Sequence, residues 1–206
     1  QFLRPGTWQY STEQTGIARF HQYHHLAEIE RIMESHAELR IWWGSDYIIR
    51  PDIVVSRMPI EDLELNIQGE VLVGPHENVA RHTPLRRSST YQSPNAYPIL
   101  HASISCKWTM RSDRAQNTRT EALNLIRNRK GRTPMIVAVT AEPLPTRLAS
   151  LALGTGDIDR VYHFALYELI DAVREVNDPN LEEMLQTLID GQRLADISDL
   201  PFDLAI

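Results

Sequence analysis

Residues 105–114 have the sequence SCKWTMRSDR, and they join an apolar run to a polar run with helical spacing. Small and β-branched side chains fill the apolar run, which predicts a strand over 99–108. The polar run predicts a helix over 113–130 that stops at Gly131. Its predicted inner face consists of Ala115, Ala122, Leu123 and Ile126. The stretch therefore places Lys107 at the end of a strand, just before a charged helix start.

The segments on either side alternate between predicted helices and strands. An amphipathic helix is predicted over 15–35, strands over 47–55, 134–140 and 159–164, and further helices over 146–153, 165–176 and 181–189. The interval 58–97 is rich in polar residues, Pro and Ser, and is predicted to be a long functional excursion with little regular structure. This order predicts one α/β domain over residues 1–206, with a central mixed β-sheet flanked by helices.

The bulk composition is that of one globular domain. The chain has 206 residues, of which 42% are hydrophobic and 23% charged, enough for a substantial core. It has no run of 18 apolar residues and no signal-peptide core near its start, so no membrane span and no export are predicted, and the expected location is cytoplasmic. The single cysteine, Cys106, can form no internal disulfide and no cysteine-rich zinc site.

Charge is unevenly distributed along the chain. The net charge of −6 argues at first against a nucleic-acid partner. Residues 101–133, however, contain eight basic and two acidic side chains, whereas ten acidic residues oppose two arginines from residue 166 onward. The basic segment fits either a DNA-binding patch or an ordinary solvated helix face, and the composition favours neither.

Five residues suggest a site for phosphodiester hydrolysis. Ser105 and Lys107 share one face of the predicted strand, while Cys106 faces away and offers its main-chain carbonyl beside the site. Asp52 interrupts an apolar run after a proline, as either a metal ligand or a satisfied structural carboxylate. Glu121 lies about two turns into the next helix and can fold back on the strand. Oxygen ligands suit Mg²⁺, and a lysine ammonium can stabilise a phosphate or position a water.

The charged helix start is chemically matched to G·C base pairs. Arg111 and Arg114 can donate to guanine O6 and N7, and Asp113 can accept from cytosine N4. Two copies related by a twofold axis would then recognise CCGG. The alternative is that Asp113 is only the N-cap of the helix, flanked by solvated arginines.

These residues together resemble the restriction endonucleases of the PD-(D/E)XK fold, in the branch that cuts around a CCGG core. That branch has serine in place of the first carboxylate of its lysine motif, as Ser105 stands two residues before Lys107 here. The resemblance extends over nearly the whole chain, from about residue 8. It implies that Asp52 and Glu121 bind the metal, with Glu121 as the displaced carboxylate, and that Mn²⁺ can substitute for Mg²⁺.

The same resemblance implies a specificity and an assembly. Arg147 matches an arginine that reads the outer G·C pair in this branch, which implies the site GCCGGC. The implied enzyme is a type II restriction endonuclease acting on double-stranded DNA as a homodimer or as a homotetramer that binds two sites. Its implied partner is a cognate DNA methyltransferase of the same restriction-modification system.

One expected element and two competing functions complete the prediction. Members of the family have a further glutamate on an upstream helix, and nothing in residues 1–51 matches it. An absent N-terminal portion is therefore expected. The competing functions are a non-specific repair or recombination nuclease of the same fold, and a DNA-binding module that does not cut.

Overall fold

One mixed sheet organises the part of the chain that the structure describes. The structure is a computed structural model, and it describes residues 6–14, 16–36, 38, 41, 49–66, 71–74, 79–88, 96–154 and 156–206. Its six strands are β1 (Trp8–Ser11), β2 (Ile53–Arg57), β3 (Ile99–Lys107), β4 (Met135–Thr140), β5 (Arg160–His163) and β6 (Leu194–Asp196). They lie in sequence order, antiparallel from β1 to β3 and parallel from β3 to β6. The predicted mixed sheet is confirmed.

Helices fill most of the connections between these strands. They are α1 (His25–Ser35), α2 (Asp62–Leu65), α3 (Ser112–Asn128), α4 (Pro145–Ala152), α5 (Leu166–Val176), α6 (Pro179–Asp190) and α7 (Leu200–Asp203). Short 3₁₀ turns cover Ile17–Arg19, His21–Tyr23 and Ile197–Asp199. Within the described ranges, none of the helices combines the length and apolar character that crossing a bilayer requires.

The predicted helix over 15–35 is wrong in its first half, and its first residue lies outside the described part of the chain. The structure has two 3₁₀ turns there, and α1 begins only afterwards. The main-chain amide of Ile17 donates to the carbonyl of Ile49, and that of His21 donates to the carbonyl of Pro98. These amides bond across the fold, so they are not available to the bonds within one helix.

The two faces of the sheet bury two separate cores. Ile136 and Ala138 belong to the larger core, which also holds buried residues of α1, α3, α4, α5 and α6. Val137 on the same strand belongs to the smaller core, which is covered by the C-terminal residues around Leu200. This alternation explains why β4 is apolar throughout, since both of its faces are buried.

A register shift lies between β2 and β3. Val55 pairs with Ala102 while Ser56 pairs with Leu100, so one residue of β3 is left over. Leu100 and Ile104 would share a face in a regular strand, yet they belong to different cores. After this bulge β3 alternates regularly, which sets the direction of every side chain at its carboxyl end.

Helix α3 follows directly from β3 and returns along the larger core. Its buried residues are Ala115, Thr118, Ala122 and Leu125. This spacing follows the helical period. The prediction that Leu123 lies on the inner face is therefore wrong, because Leu125 holds that position. The predicted inner residue Ile126 does pack against the core.

The described parts of the excursion 58–97 are anchored by one arginine. Arg86 is 4% exposed and donates to both carboxylate oxygens of Asp62 at 2.7 Å. It also donates to the carbonyls of Val79 and Gly74. The hydrogen bonds from Arg86 hold the pKa of the Asp62 carboxyl below its ordinary value. The ion pair between Asp62 and Arg86 therefore stabilises the folded state fully at neutral pH. This contribution to stability is lost as the pH falls through the lowered pKa of Asp62.

We expect Arg86→Met to loosen this excursion, because it removes several charge-assisted hydrogen bonds from a buried position. Amide hydrogen exchange over 79–88 should accelerate about 10- to 100-fold. Arg87→Met is the matched control, since Arg87 forms an exposed ion pair with Glu61 at 3.0 Å and should change exchange less than about fivefold. Equal effects of the two variants would contradict this account.

Candidate active site

The carboxylate of Asp52 is bound to the end of β3. Its Oδ2 accepts from Nζ of Lys107 at 2.7 Å and from the main-chain amide of Cys106 at 2.8 Å. Asp52 immediately precedes β2, whose first residue, Ile53, pairs with Ile104 of β3. The antiparallel register therefore brings Asp52 to the carboxyl end of β3, beside Lys107. The prediction did not foresee this direct ion pair.

Ser105 lies on the same side of β3 as the helix that follows. Its Oγ is 3.3 Å from Oγ1 of Thr118 on α3, and both residues are buried. The side chain of Cys106 instead faces an apolar cavity of about 380 Å³ that it shares with Ile104 and Val139. The alternation predicted for this strand is therefore confirmed.

The thiol of Cys106 is not suited to act as a nucleophile. Burial raises its pKa, and the nearby Asp52 carboxylate raises it further, against the opposing effect of Lys107. The side chain therefore remains a neutral packing group at neutral pH. A contribution of Cys106 to metal binding would have to come from its main-chain carbonyl.

Glu121 completes a cluster with Asp52 and Lys107. It lies on α3 and is half-buried. Burial raises the pKa of its carboxyl, Lys107 lowers it, and Asp52 raises it. The influence of Lys107 and Asp52 on this pKa indicates that the three groups lie near one another, although they come from three different segments of the chain.

The cluster fits a divalent cation with oxygen ligands. Among the residues that the structure describes, neither Oδ1 of Asp52 nor the carboxylate of Glu121 accepts a hydrogen bond. The described residues contain no group of three or more His, Cys, Asp or Glu that could hold a metal. A metal here would therefore use two carboxylates together with main-chain and water oxygens, as Mg²⁺ commonly does.

The predicted base readers lie at the exposed start of α3. Arg111 is the N-cap, Asp113 is in the first turn, and both are exposed together with Arg114. Nη1 of Arg114 donates to Oγ1 of Thr109 at 3.2 Å. The alternative that Asp113 caps the helix is wrong, because Arg111 holds that position and no side chain caps it. The carboxylate of Asp113 is therefore left facing solvent.

Arg147 lies in the first turn of α4, which follows β4 as α3 follows β3. Its Nη1 is 3.5 Å from Oε2 of Glu142, a fully buried carboxylate. Glu142 was not foreseen as a site residue. The only signal in the sequence is an acid placed between Ala141 and Pro143 just after a buried strand. Because β3 and β4 are parallel neighbours, Arg147 and the start of α3 lie at the same edge of the sheet.

Comparison with known proteins decides the family. All residues from 1 to 206 match the family model described as NgoMIV restriction enzyme. The chain belongs to the NgoMIV restriction enzyme family. The chain is 51% identical over 210 residues to the type II restriction enzyme NgoMIV of Neisseria gonorrhoeae, covering 100% of this chain and 71% of the relative.

A solved complex of the restriction endonuclease PspGI with substrate DNA is also similar, at 24% identity and a TM-score of 0.33. That similarity covers 50% of this chain and 38% of the other. Membership of the NgoMIV restriction enzyme family confirms the predicted type II restriction endonuclease, a site-specific deoxyribonuclease with the restriction-endonuclease fold.

The shared electrostatics of the cluster can be measured directly in the metal-free protein. We expect the carboxyl of Glu121, followed by ¹³C NMR, to titrate above the ordinary range of glutamic acid because it is half-buried. Lys107→Met should raise this pKa further, and Asp52→Asn should lower it. Lys130→Met is the control, since Lys130 lies beyond the end of α3. An unchanged titration of Glu121 in Lys107→Met would show that the charges do not share a site.

Proposed function

We propose that this chain carries the catalytic and base-reading machinery of a Mg²⁺-dependent endonuclease that cuts both strands within a CCGG-core palindrome, with GCCGGC as its site. The observation that carries the proposal is the position of the Lys107 ammonium. It lies 2.7 Å from Asp52 and near enough to Glu121 to lower the pKa of that carboxyl, at the sheet edge where the proposed base-reading arginines begin. Residues 105–114 thus contain both the proposed catalytic lysine and the proposed base-reading side chains.

Hydrolysis of a phosphodiester needs an activated water, neutralisation of charge on the phosphate and support for the leaving oxygen. Lys107 supplies a cation whose direction is fixed by Asp52, and this arrangement suits stabilisation of a phosphate or positioning of the attacking water. Ser105 has a structural part, since its hydroxyl is paired with Thr118. The second carboxylate of the proposed site is assigned to Glu121 on α3.

Asp52, Glu121 and the main-chain carbonyl of Cys106 are the groups that would hold Mg²⁺, with Mn²⁺ as a substitute. Two observations support this assignment. All the candidate ligand atoms are oxygens, and among the described residues no group donates a hydrogen bond to the Glu121 carboxylate or to Oδ1 of Asp52. A divalent cation bound there would lower the pKa of a bound water and neutralise phosphate charge.

Specificity is assigned to the exposed starts of α3 and α4. Arg111 and Arg114 offer forked donors for guanine, and Asp113 offers an acceptor for cytosine N4. In the part of the chain that is described, neither Arg111 nor Asp113 has an intramolecular hydrogen bond from its side chain. Arg147 is half-exposed on the neighbouring helix and is assigned to the outer G·C pair.

The palindromic site sets the assembly that we propose. A twofold homodimer is the smallest unit that presents the same readers to both halves of the site. A homotetramer that binds two sites, and a cognate methyltransferase that protects the host's own DNA, follow from the resemblance of the chain to its family. The cytoplasmic location stays a prediction.

Lys107→Ala in the full-length protein should lower the cleavage rate at least about 100- to 1000-fold while leaving binding of CCGG duplexes in place, because it removes a cation from the reacting phosphate. Gel-shift and plasmid-cleavage assays measure the two properties. The matched control is Lys130→Ala, which changes the other lysine of the chain and should cut normally. Normal cutting by Lys107→Ala would refute the catalytic assignment. Tight binding without cutting by the unmodified protein, in Mg²⁺ or Mn²⁺, would identify a non-cleaving module.

Arg114→Ala should weaken binding of CCGG duplexes by about 1–3 kcal/mol and reduce the preference over unrelated duplexes correspondingly, because the guanine contact is lost. Competition binding with both duplexes measures the preference. Arg127→Ala, at the exposed end of the same helix, is the control and should leave the preference unchanged. Retained preference in Arg114→Ala would contradict the assignment, whereas equal binding of both duplexes by the unmodified protein would favour a nuclease without sequence specificity.

A further inference from the structure

Glu142 is a completely buried carboxylate at the sheet edge that carries both groups of base readers. It is 0% exposed and lies in the loop between β4 and α4. A buried charge persists in a fold only where hydrogen bonds and opposite charge replace the water that it has lost. Glu142 has both, and each of its partners belongs to a segment that leads into a base-reading helix.

The carboxylate links the turn after β3 to the loop after β4. Oε2 accepts from the main-chain amide of Met110 at 2.7 Å, and Oε1 accepts from the amide of Leu144 at 3.2 Å. Met110 immediately precedes Arg111, and Leu144 is the N-cap of α4. One side chain thus sets the separation of two backbone segments that are otherwise distant in sequence.

The surrounding bonds make this link rigid. The carbonyl of Trp108 accepts from the amide of Ala141 and from Oγ1 of Thr140. The amide of Glu142 donates to the same Oγ1, and its carbonyl is 3.2 Å from Nε2 of His163. The backbone of Glu142 is therefore fixed by β5 as well as by β4, so its carboxylate has little freedom to follow a moving loop.

The third partner of the carboxylate is Arg147. Nη1 of Arg147 is 3.5 Å from Oε2 of Glu142, and the Arg147 side chain is 46% exposed. A guanidinium has five N–H donors arranged as a planar fork. Nη1 therefore lies within ion-pair distance of the buried carboxylate, while nearly half of the side chain stays exposed and leaves other N–H donors of the fork available to a base.

We propose that Glu142 is a positioning residue that holds Arg147 in register with Arg111, Asp113 and Arg114, so that the outer base pair and the core are read together. This proposal rests on the proposed function. Glu142 contacts no DNA itself, because it is fully buried. It acts through the direction of the Arg147 fork and through the Met110 amide, which fixes the turn in front of the core readers.

Glu142→Gln tests the proposal, since it keeps the size of the side chain and removes its charge. The readout is the ratio of kcat/KM for GCCGGC to that for CCGG sites with a different outer pair. We expect this ratio to fall about 10-fold, because Arg147 without its ion pair to Glu142 is no longer held in the direction needed to discriminate the outer pair. The matched control Glu168→Gln changes an exposed glutamate on α5 and should preserve the ratio.

A double-mutant cycle separates positioning from a merely structural role. In an Arg147→Ala background, Glu142→Gln should cause no further loss of discrimination at the outer pair, since the two residues act as one unit. A structural role would instead lower cleavage of every site alike and add to the loss from Arg147→Ala. Either of those results, or an unchanged ratio in Glu142→Gln, overturns the proposal.

Two further measurements test the proposal if the Glu142→Gln variant folds poorly. Glu142→Asp keeps the charge but withdraws it by one methylene, and it should lose part of the discrimination. In the unmodified protein, exchange of the Met110 amide should slow more on a GCCGGC duplex than on one with a different outer pair. Equal protection of the Met110 amide on the two duplexes would overturn the proposal.

Failure of the unmodified protein to cut any CCGG site would refute the proposed function itself. Normal cutting by the unmodified protein, with an unaffected ratio in Glu142→Gln, would refute only the role of Glu142.

Discussion

The site depends on one carboxylate oxygen, Oδ2 of Asp52, which accepts from both the Cys106 amide and the Lys107 ammonium. This pair of bonds ties the entrance of β2 to the end of β3 and fixes the direction of the lysine. A lysine has several rotatable bonds, so holding the Lys107 ammonium in one place reduces the entropy cost that the proposed catalysis would otherwise have to overcome. The approach of Glu121 from α3 then gives the ion pair a second negative neighbour, which is the setting a divalent cation would neutralise.

Parallel pairing of β3 with β4 gives the second constraint. Lys107 pairs with Thr140, so the turn before α3 and the loop before α4 emerge side by side from the sheet. The proposed catalytic lysine is the last residue of β3, and the predicted base readers begin four residues later. Under the proposed assignment, main-chain geometry and the buried carboxylate of Glu142 set the distances between the cutting and reading groups.

Local sequence patterns were sufficient to predict the central strands and the helix after β3, but not the two outermost strands of the sheet or the 3₁₀ turns before α1. The segment 99–130 was predictable because strand alternation and helical spacing follow one another directly. β1 and β6 are 4 and 3 residues long and have too little pattern to be recognised. The first half of the helix predicted over 15–35 was wrong because the amides of Ile17 and His21 bond to distant carbonyls. Glu142 could not be found either, since its part depends on Met110, which is 32 residues away along the chain.

The most direct test of the account is a digest of defined DNA by the full-length protein with Mg²⁺, followed by sequencing of the ends. We expect every end to map within GCCGGC on both strands and no ends to form without a divalent metal. Ends scattered over unrelated sequences, or confined to a site without a CCGG core, would contradict the assignment of Arg111, Asp113, Arg114 and Arg147 as the residues that choose where Lys107 acts.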